Sequence, residues 1–266
     1  MGVRATGRDG VVLKLDVDFS GMDSKVREVI RLTKEEPAKI MVQEARLLCV
    51  ELAKYTQPFG LDDAAKKLGE EALARDYNRV YAQASEVYKE LLLQSKPLAD
   101  GFWKAFQARN YEKASQILRD SKVINRNTPI QPFDGGTAHN KRWKRGKVGG
   151  GLVASLILQV QKGLKPFLTQ EKAKVGFAKG GWAACAKMLG GVRGIPQWIY
   201  RHNTPASVID NTDKDNPSIT IRNGVNYTSQ VLSETGARHA LQDREYKLTD
   251  RIKRILGSKF YAMQSK

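Results

Sequence analysis

Val11-Val-Leu-Lys-Leu-Asp-Val-Asp-Phe19 is the stretch on which the fold turns. Val11, Leu13, Leu15 and Val17 alternate with Val12, Lys14, Asp16 and Asp18, and a period of two is the mark of a half-buried strand. Ser20-Gly21 then turns the chain, and the period changes. Met22 to Lys34 predicts a short helix. Pro37 stands where a first helical turn tolerates it, and Met41, Ala45, Leu48, Leu52 and Tyr55 recur at spacings of three and four. That second helix is long and amphipathic, and ends near Gln57-Pro58-Phe59-Gly60. The chain thus opens with a strand that feeds two helices, and a separate helical block follows.

The block is 61–120. Leu73, Tyr77, Val80, Ala84, Val87 and Leu91 form one apolar stripe, Pro97 starts a helix carrying Phe102, Trp103 and Phe106, and Asn110 caps another running to Leu118. Mixed charges on the opposite faces suit an inserted helical hairpin. Segment 121–151 lacks apolar periodicity and holds Pro129, Pro132, Gly135-Gly136 and Gly149-Gly150-Gly151, so it reads as a long mobile basic loop. Residues 1–60 and 152–266 make the α+β core. In it, Val153–Val160 is a strand, and Pro166 opens a helix with Leu168, Val175, Ala178, Trp182, Cys185 and Leu189 on one face. Gly176, Gly180 and Gly181 imply either a break in that helix or close packing against a neighbouring backbone. Residues 190–202 read as a turn and an extended aromatic segment. Asn223-Gly224, between two extended runs, is a strong hairpin signal, and the chain is helical from Ser229.

Charge decides the function classes. The 266 residues carry 45 Lys+Arg against 28 Asp+Glu, a formal +17. Residues 1–120 hold 20 basic and 19 acidic side chains, and 121–266 hold 25 and 9, so +16 of the total lies in the second part. His139 to Arg201 contains 13 Lys+Arg and one acid, Glu171. A one-signed surface of that extent repels itself, which points to a polyanionic partner or an acidic protein surface. The alternative is a solvated face that aids solubility. Lys141, Arg142, Trp143, Lys144, Arg145 and Lys147 interleave one aromatic with five cations, which suits phosphate contact with stacking. Lys165, Lys172 and Lys179, seven apart, extend the candidate nucleic-acid-binding set along one helix face. No zinc finger, RNP aromatic pair or basic zipper accompanies them, so any such contact is expected to be non-specific and salt-sensitive.

Catalytic patterns do not emerge, and the chain reads as a non-enzyme with no metal and no cofactor. Gly146-Lys147 is followed by Val148, not Ser or Thr, so there is no Walker loop, and no Gly-x-Ser-x-Gly elbow occurs. His139, His202 and His239 lack ligand-spaced companions. Cys185 with His202 would make a nucleophile and base, but a cysteine on the Trp182–Leu189 stripe is more simply core. Two cysteines 136 apart, no apolar run of membrane length and a polar N-terminus predict a soluble chain of a reducing compartment, without a secretory signal or membrane contact. Met1-Gly2 with Thr6 fits an N-myristoylation pattern only nominally.

Several stretches resemble a known family. The order strand, Asp18-Phe-Ser-Gly-Met22, helix, long helix, Tyr55-Thr-Gln-Pro-Phe-Gly60 is similar to the minor tail and tail-completion (neck) proteins of long-tailed bacteriophages, the minor tail protein Z type among them. So are Lys174-Val-Gly-Phe-Ala-Lys-Gly-Gly-Trp182-Ala-Ala, Leu189-Gly-Gly-Val-Arg-Gly-Ile-Pro-Gln-Trp198 with Arg201-His202, and Gly69-Glu-Glu-Ala-Leu-Ala-Arg-Asp76 through Arg79-Val-Tyr81. Together they cover about half the chain. The resemblance implies an α+β fold, a small antiparallel sheet packed by long N- and C-terminal helices, here with an inserted helical block. It implies a virion structural protein of the head-proximal tail end, made in the bacterial host cytoplasm. It implies self-assembly as a ring, a hexamer, beside the tail terminator and head-tail connector proteins, with genomic DNA in the lumen. It carries over no catalytic residues. The block at 61–120 and the basic segment at 121–151 depart from the compact form of that family. A free non-specific nucleic-acid-binding protein used in packaging or replication is the other class these residues allow, and a nuclease with an unseen site is a third.

Overall fold

The structure, a computed structural model, describes residues 13–15, 20–33, 35–121, 130–145, 155–213 and 218–264. In chain order its elements are β1 (Leu13–Leu15), α1 (Ser20–Thr33), α2 (Pro37–Tyr55), α3 (Asp63–Asn78), β2 (Tyr81–Ala82), α4 (Ala84–Gln94), α5 (Lys96–Gln107) and α6 (Tyr111–Ser121). They continue with β3 (Ile130–Gln131), α7 (Gly135–Arg145), β4 (Leu156–Leu158), a 3-10 turn at Gln161–Gly163, α8 (Leu164–Ala173) and α9 (Phe177–Met188). Last come α10 (Gln197–Tyr200), β5 (Ala206–Asp210), β6 (Ile219–Asn223), α11 (Thr228–Val231) and α12 (Glu234–Gln264). The fold is α+β and dominated by helices. It divides into two compact units, residues 1–68 with 175–266, and residues 69–174.

The first unit is built on an antiparallel sheet of order β1-β6-β5. Leu13 to Leu15 pair with Asn223 to Ile221, so the early strand lies against the late one. On β6, Ile219, Ile221 and Asn223 are buried while Thr220 and Arg222 are half-buried, the alternation of a sheet with one covered face. α2 starts with Pro37 at its first position and buries Ile40, Met41, Ala45, Leu48, Cys49, Leu52 and Ala53. Its other buried residues, Glu44 and Glu51, are acidic. Glu44 Oε2 accepts from Arg244 Nε at 2.7 Å, and Glu51 pairs with Lys247, both across to α12. Tyr55 Oη donates to Asp243 Oδ2 at 2.9 Å at the same seam.

The glycines near 180 realise both alternatives that the sequence leaves open. Gly176, at φ +90°, breaks the expected single helix into α8 and α9. Gly181 is a close approach, because a Cβ there would stand 2.1 Å from Asn223 Oδ1. Asn223 in turn donates from Nδ2 to Ala178 O at 2.7 Å and accepts from Val225 N at 3.1 Å. That engagement overturns the Asn223-Gly224 hairpin. A type I′ turn needs φ > 0 at both residues, whereas neither has it, and Gly224 N donates instead to Pro205 O at 2.9 Å. The hairpin is β5–β6, closed across Asn211 and Ser218. Residues 197–200, expected extended, form α10, whose Trp198 and Ile199 are buried.

The second unit holds a parallel sheet of order β2-β4-β3, which the sequence reading did not foresee. β4 is the strand expected at 153–160, but it belongs to this unit and not to the core. Both faces are covered, as a parallel sheet requires. Ile157, Ala82 and Ile130 pack with Val87, Leu91, Phe102 and Leu118 of α4–α6. Leu156, Leu158 and Tyr81 pack with Tyr77, Ala138, Phe167 and Leu168 of α3, α7 and α8. The apolar stripe from Leu73 to Leu91 is therefore not one helix. Tyr77 and Val87 serve opposite faces of the sheet, with β2 between them, and the Gln83–Glu86 capping box starts α4 afresh. Asn110 caps α6 as expected, its Oδ1 accepting from Lys113 N at 3.1 Å.

The contrast between two glycines is testable. Gly181→Ala drives a methyl into the Asn223 amide and breaks its buried bonds, a loss of about 3 kcal/mol. At Gly191, φ is +79° and a Cβ would meet nothing within 4 Å, so only the backbone conformation resists. Gly191→Ala should cost about 1 kcal/mol. Urea unfolding midpoints of the two variants should fall in that order.

Candidate nucleic-acid interface

The segment expected as a loop at 121–151 contains a helix. Asp134 accepts from Thr137 N at 2.7 Å and so caps α7, satisfying one of the amides that any helix start leaves open. Glycines at the first two positions do not prevent it, because the helix is held by Ala138, fully buried on the sheet layer. Lys141, Arg142, Trp143, Lys144 and Arg145 fall in the last turns of α7. Lys147 lies outside the described residues, as do 122–129 and 146–154.

α8 lies in the same layer. Phe167 sits where a Cβ on Gly135 would be 3.0 Å from its ring, and its ring meets Tyr77 edge-on at 5.1 Å. Tyr77 is fully buried, and its hydroxyl joins the two helices. It donates to Glu171 Oε2 at 3.3 Å and lies 3.3 Å from His139 Nδ1. Glu171, the one acid between residues 139 and 201, is thus turned inward, with its side chain 14% exposed and Lys174 as its ion-pair partner. Lys165 is exposed and Lys172 half-buried on α8, and Lys162 is exposed on the 3-10 turn before it. The second unit therefore brings together α7 with its four cations and α8 with two of the three spaced lysines. Lys162 was missed by reading only the seven-residue spacing, although it stands three before Lys165.

Lys179 is not part of this surface. The break at Gly176 sends it into the first unit, where it is fully buried. Its Nζ donates to Ala53 O at 2.5 Å and Gly60 O at 2.8 Å, and burial pulls its pKa from 10.5 down to about 7. Heptad spacing implies a shared face only along one unbroken helix.

Cys185 and His202 do not form a nucleophile–base pair. Cys185 Sγ donates to the carbonyls of Arg222 and Ser207, and burial pushes its thiol up to about 11, away from the reactive thiolate. His202 Nε2 lies 2.9 Å from Val175 O. Among the described residues no cluster of His, Cys, Asp or Glu could hold a metal, and no helix is long and apolar enough to cross a membrane. No protein-family model matches the chain, and comparison with curated proteins and with solved structures finds no match.

If the α7–α8 layer contacts phosphates, replacing Lys162, Lys165 and Lys172 together by Gln should lower duplex-DNA affinity and reduce the salt slope, d log K/d log[salt], by about 2 to 3 in magnitude. Lys187→Gln with Arg193→Gln, both exposed in the first unit, should leave that slope unchanged. Fluorescence anisotropy between 50 and 200 mM salt, roughly the range over which such binding falls steeply, measures both.

Proposed function

We propose that this chain is a virion structural protein, a bacteriophage tail-completion or neck component at the head-proximal end of the tail. There it helps join head and tail and turns its basic surface toward DNA or a neighbouring subunit. The observation that carries the reading is the way the chain is divided. Its two ends form one α+β unit that holds most of the segments resembling the tail-completion family, while residues 69–174, with the resembling stretch 69–81 at their start, form a separate unit inserted between them. Strand, helix and long helix at the start of the chain follow in the order on which the resemblance rests, and a long C-terminal helix closes the same unit.

The cationic layer supports the second half of the proposal. α7 and α8 lie on one layer, and the single acid of their stretch is withdrawn from it. A ring whose subunits present such a layer to the lumen would hold the genome through counterion release, without reading its sequence. The same layer also favours the second reading, a free non-specific nucleic-acid-binding protein. The two differ in what the chain accompanies.

Mass spectrometry of purified particles of the encoding phage should find the chain, and negative-stain images of the pure protein should show rings. Particles from a deletion strain should be tailless or unjoined heads. A chain absent from particles, monomeric in solution and bound to DNA would move the assignment to the free binder.

A further inference from the structure

We infer that Lys179 is a proton-linked latch on the turn from Thr56 to Leu61: when its amine takes up a proton the turn opens more readily, moving Phe59 and reshaping the cleft it lines. The inference is independent of the cationic layer. Three side chains of the 179–198 segment hold this turn. Lys179 Nζ donates to Gly60 O and to Ala53 O in the last turn of α2, Trp182 Nε1 donates to Thr56 Oγ1 at 3.1 Å, and Trp198 Nε1 donates to Leu61 O at 3.1 Å. The indoles do not titrate, so proton dependence falls on the lysine. The turn carries Phe59, 65% exposed, and with Tyr55, Gly236 and His239 it lines a cleft of about 350 Å³.

What makes the latch respond to protons is the absence of a counter-charge. On the elements packed against α9, the charged and titratable groups are Lys39, Glu44, Arg46, Cys49, Glu51, Lys54 and Tyr55 of α2, Asp210 of β5, Arg222 of β6 and Tyr200 of α10. α9 itself carries Cys185 and Lys187, Asp62 and Asp63 follow the turn, and Arg201 and His202 follow α10. Among the described residues none of them forms an ion pair or hydrogen bond with Lys179, whose two acceptors are neutral carbonyls. Burial alone shifts it, to about 7. The sign follows. A base whose pKa is depressed in the closed state and normal once hydrated favours closure more as pH rises from about 7 toward 10.5, and its effect is flat below 7. Within that window one proton gives about a tenfold change in the opening equilibrium per pH unit. His202, also depressed by burial, acts with the same sign but below 6.5.

Hydrogen exchange of the full chain, followed by mass spectrometry at pH 7.5 and 8.5 and corrected for intrinsic rates, tests it. Protection of residues 54–61 should rise about tenfold in the wild type and in His202→Gln, and stay constant in Lys179→Met. A pH-independent wild type, or the same rise in Lys179→Met, overturns the latch. Should Lys179→Met not fold, NMR titration of the Lys179 ε-carbon in the wild type decides: a midpoint near neutrality supports it and one above 9 overturns it.

Discussion

The first unit depends on one close approach, the α9 backbone against the end of β6 at Gly181. Any side chain at 181 would occupy the place of the Asn223 amide. With hydrogen there, Asn223 reaches Ala178 O and holds Val225 N, so one buried amide ties helix, strand and the turn after it. The contact also places Cys185 over the carbonyls of Ser207 and Arg222, and Ala178, Trp182 and Ala186 in the core. From α9 the constraint passes to α2, through Trp182 and Lys179 to the carbonyls and hydroxyl at its C-terminal end. A helix that close to a sheet leaves room only for small residues at the points of closest approach, such as Gly181 against Asn223.

On its other side α2 meets α12 through buried ions. Glu44 has a fully buried side chain and accepts from Arg244 at 2.7 Å, with Arg251 at 3.5 Å, while Glu51, nearly as buried, pairs with Lys247. Such pairs add little net stability over apolar residues of the same shape, yet removing one partner strands a charge and costs about 3 to 5 kcal/mol. Their effect here is on register. A slip of α12 by one turn would leave Glu44 buried without its cation, so the 31-residue helix has one setting against α2.

The pairing at 13–15, the start of α2, the Asn110 cap and the buried cysteines were legible in the sequence, because each rests on local periodicity or local chemistry. The rest of the strand expected over 11–19 lies outside the described residues, and Ser20-Gly21, expected as a turn, is the first turn of α1. The parallel sheet was not. Strands of two or three residues, buried on both faces, show no alternation, and Tyr81-Ala82 merges into the helical stripes around it. α7 was hidden for a related reason: its stabilising contact, Ala138 under the β4 layer, is long-range, while Gly135-Gly136 argues locally for a loop. Asn223-Gly224 failed in the opposite sense. The local signal was strong, and a tertiary bond from Asn223 to α9 overrode it.

The candidate site shows the same division between composition and placement. The charge count found the cationic stretch, and two of its helices do share a layer. Yet charge alone could not tell Lys165 from Lys179, which are equivalent by residue type and spacing. One is exposed on α8, where a hydrated ammonium can exchange its counterion for a phosphate. The other is enclosed by α9 and the end of α2, where the same ammonium has lost its water and gained two carbonyls. Desolvation is what separates them. It turns a surface cation that binds by charge into a buried amine whose charge is itself in question. A glycine at 176 is the residue that decides which lysine falls on which side, since it is there that the backbone leaves one helix and starts the next.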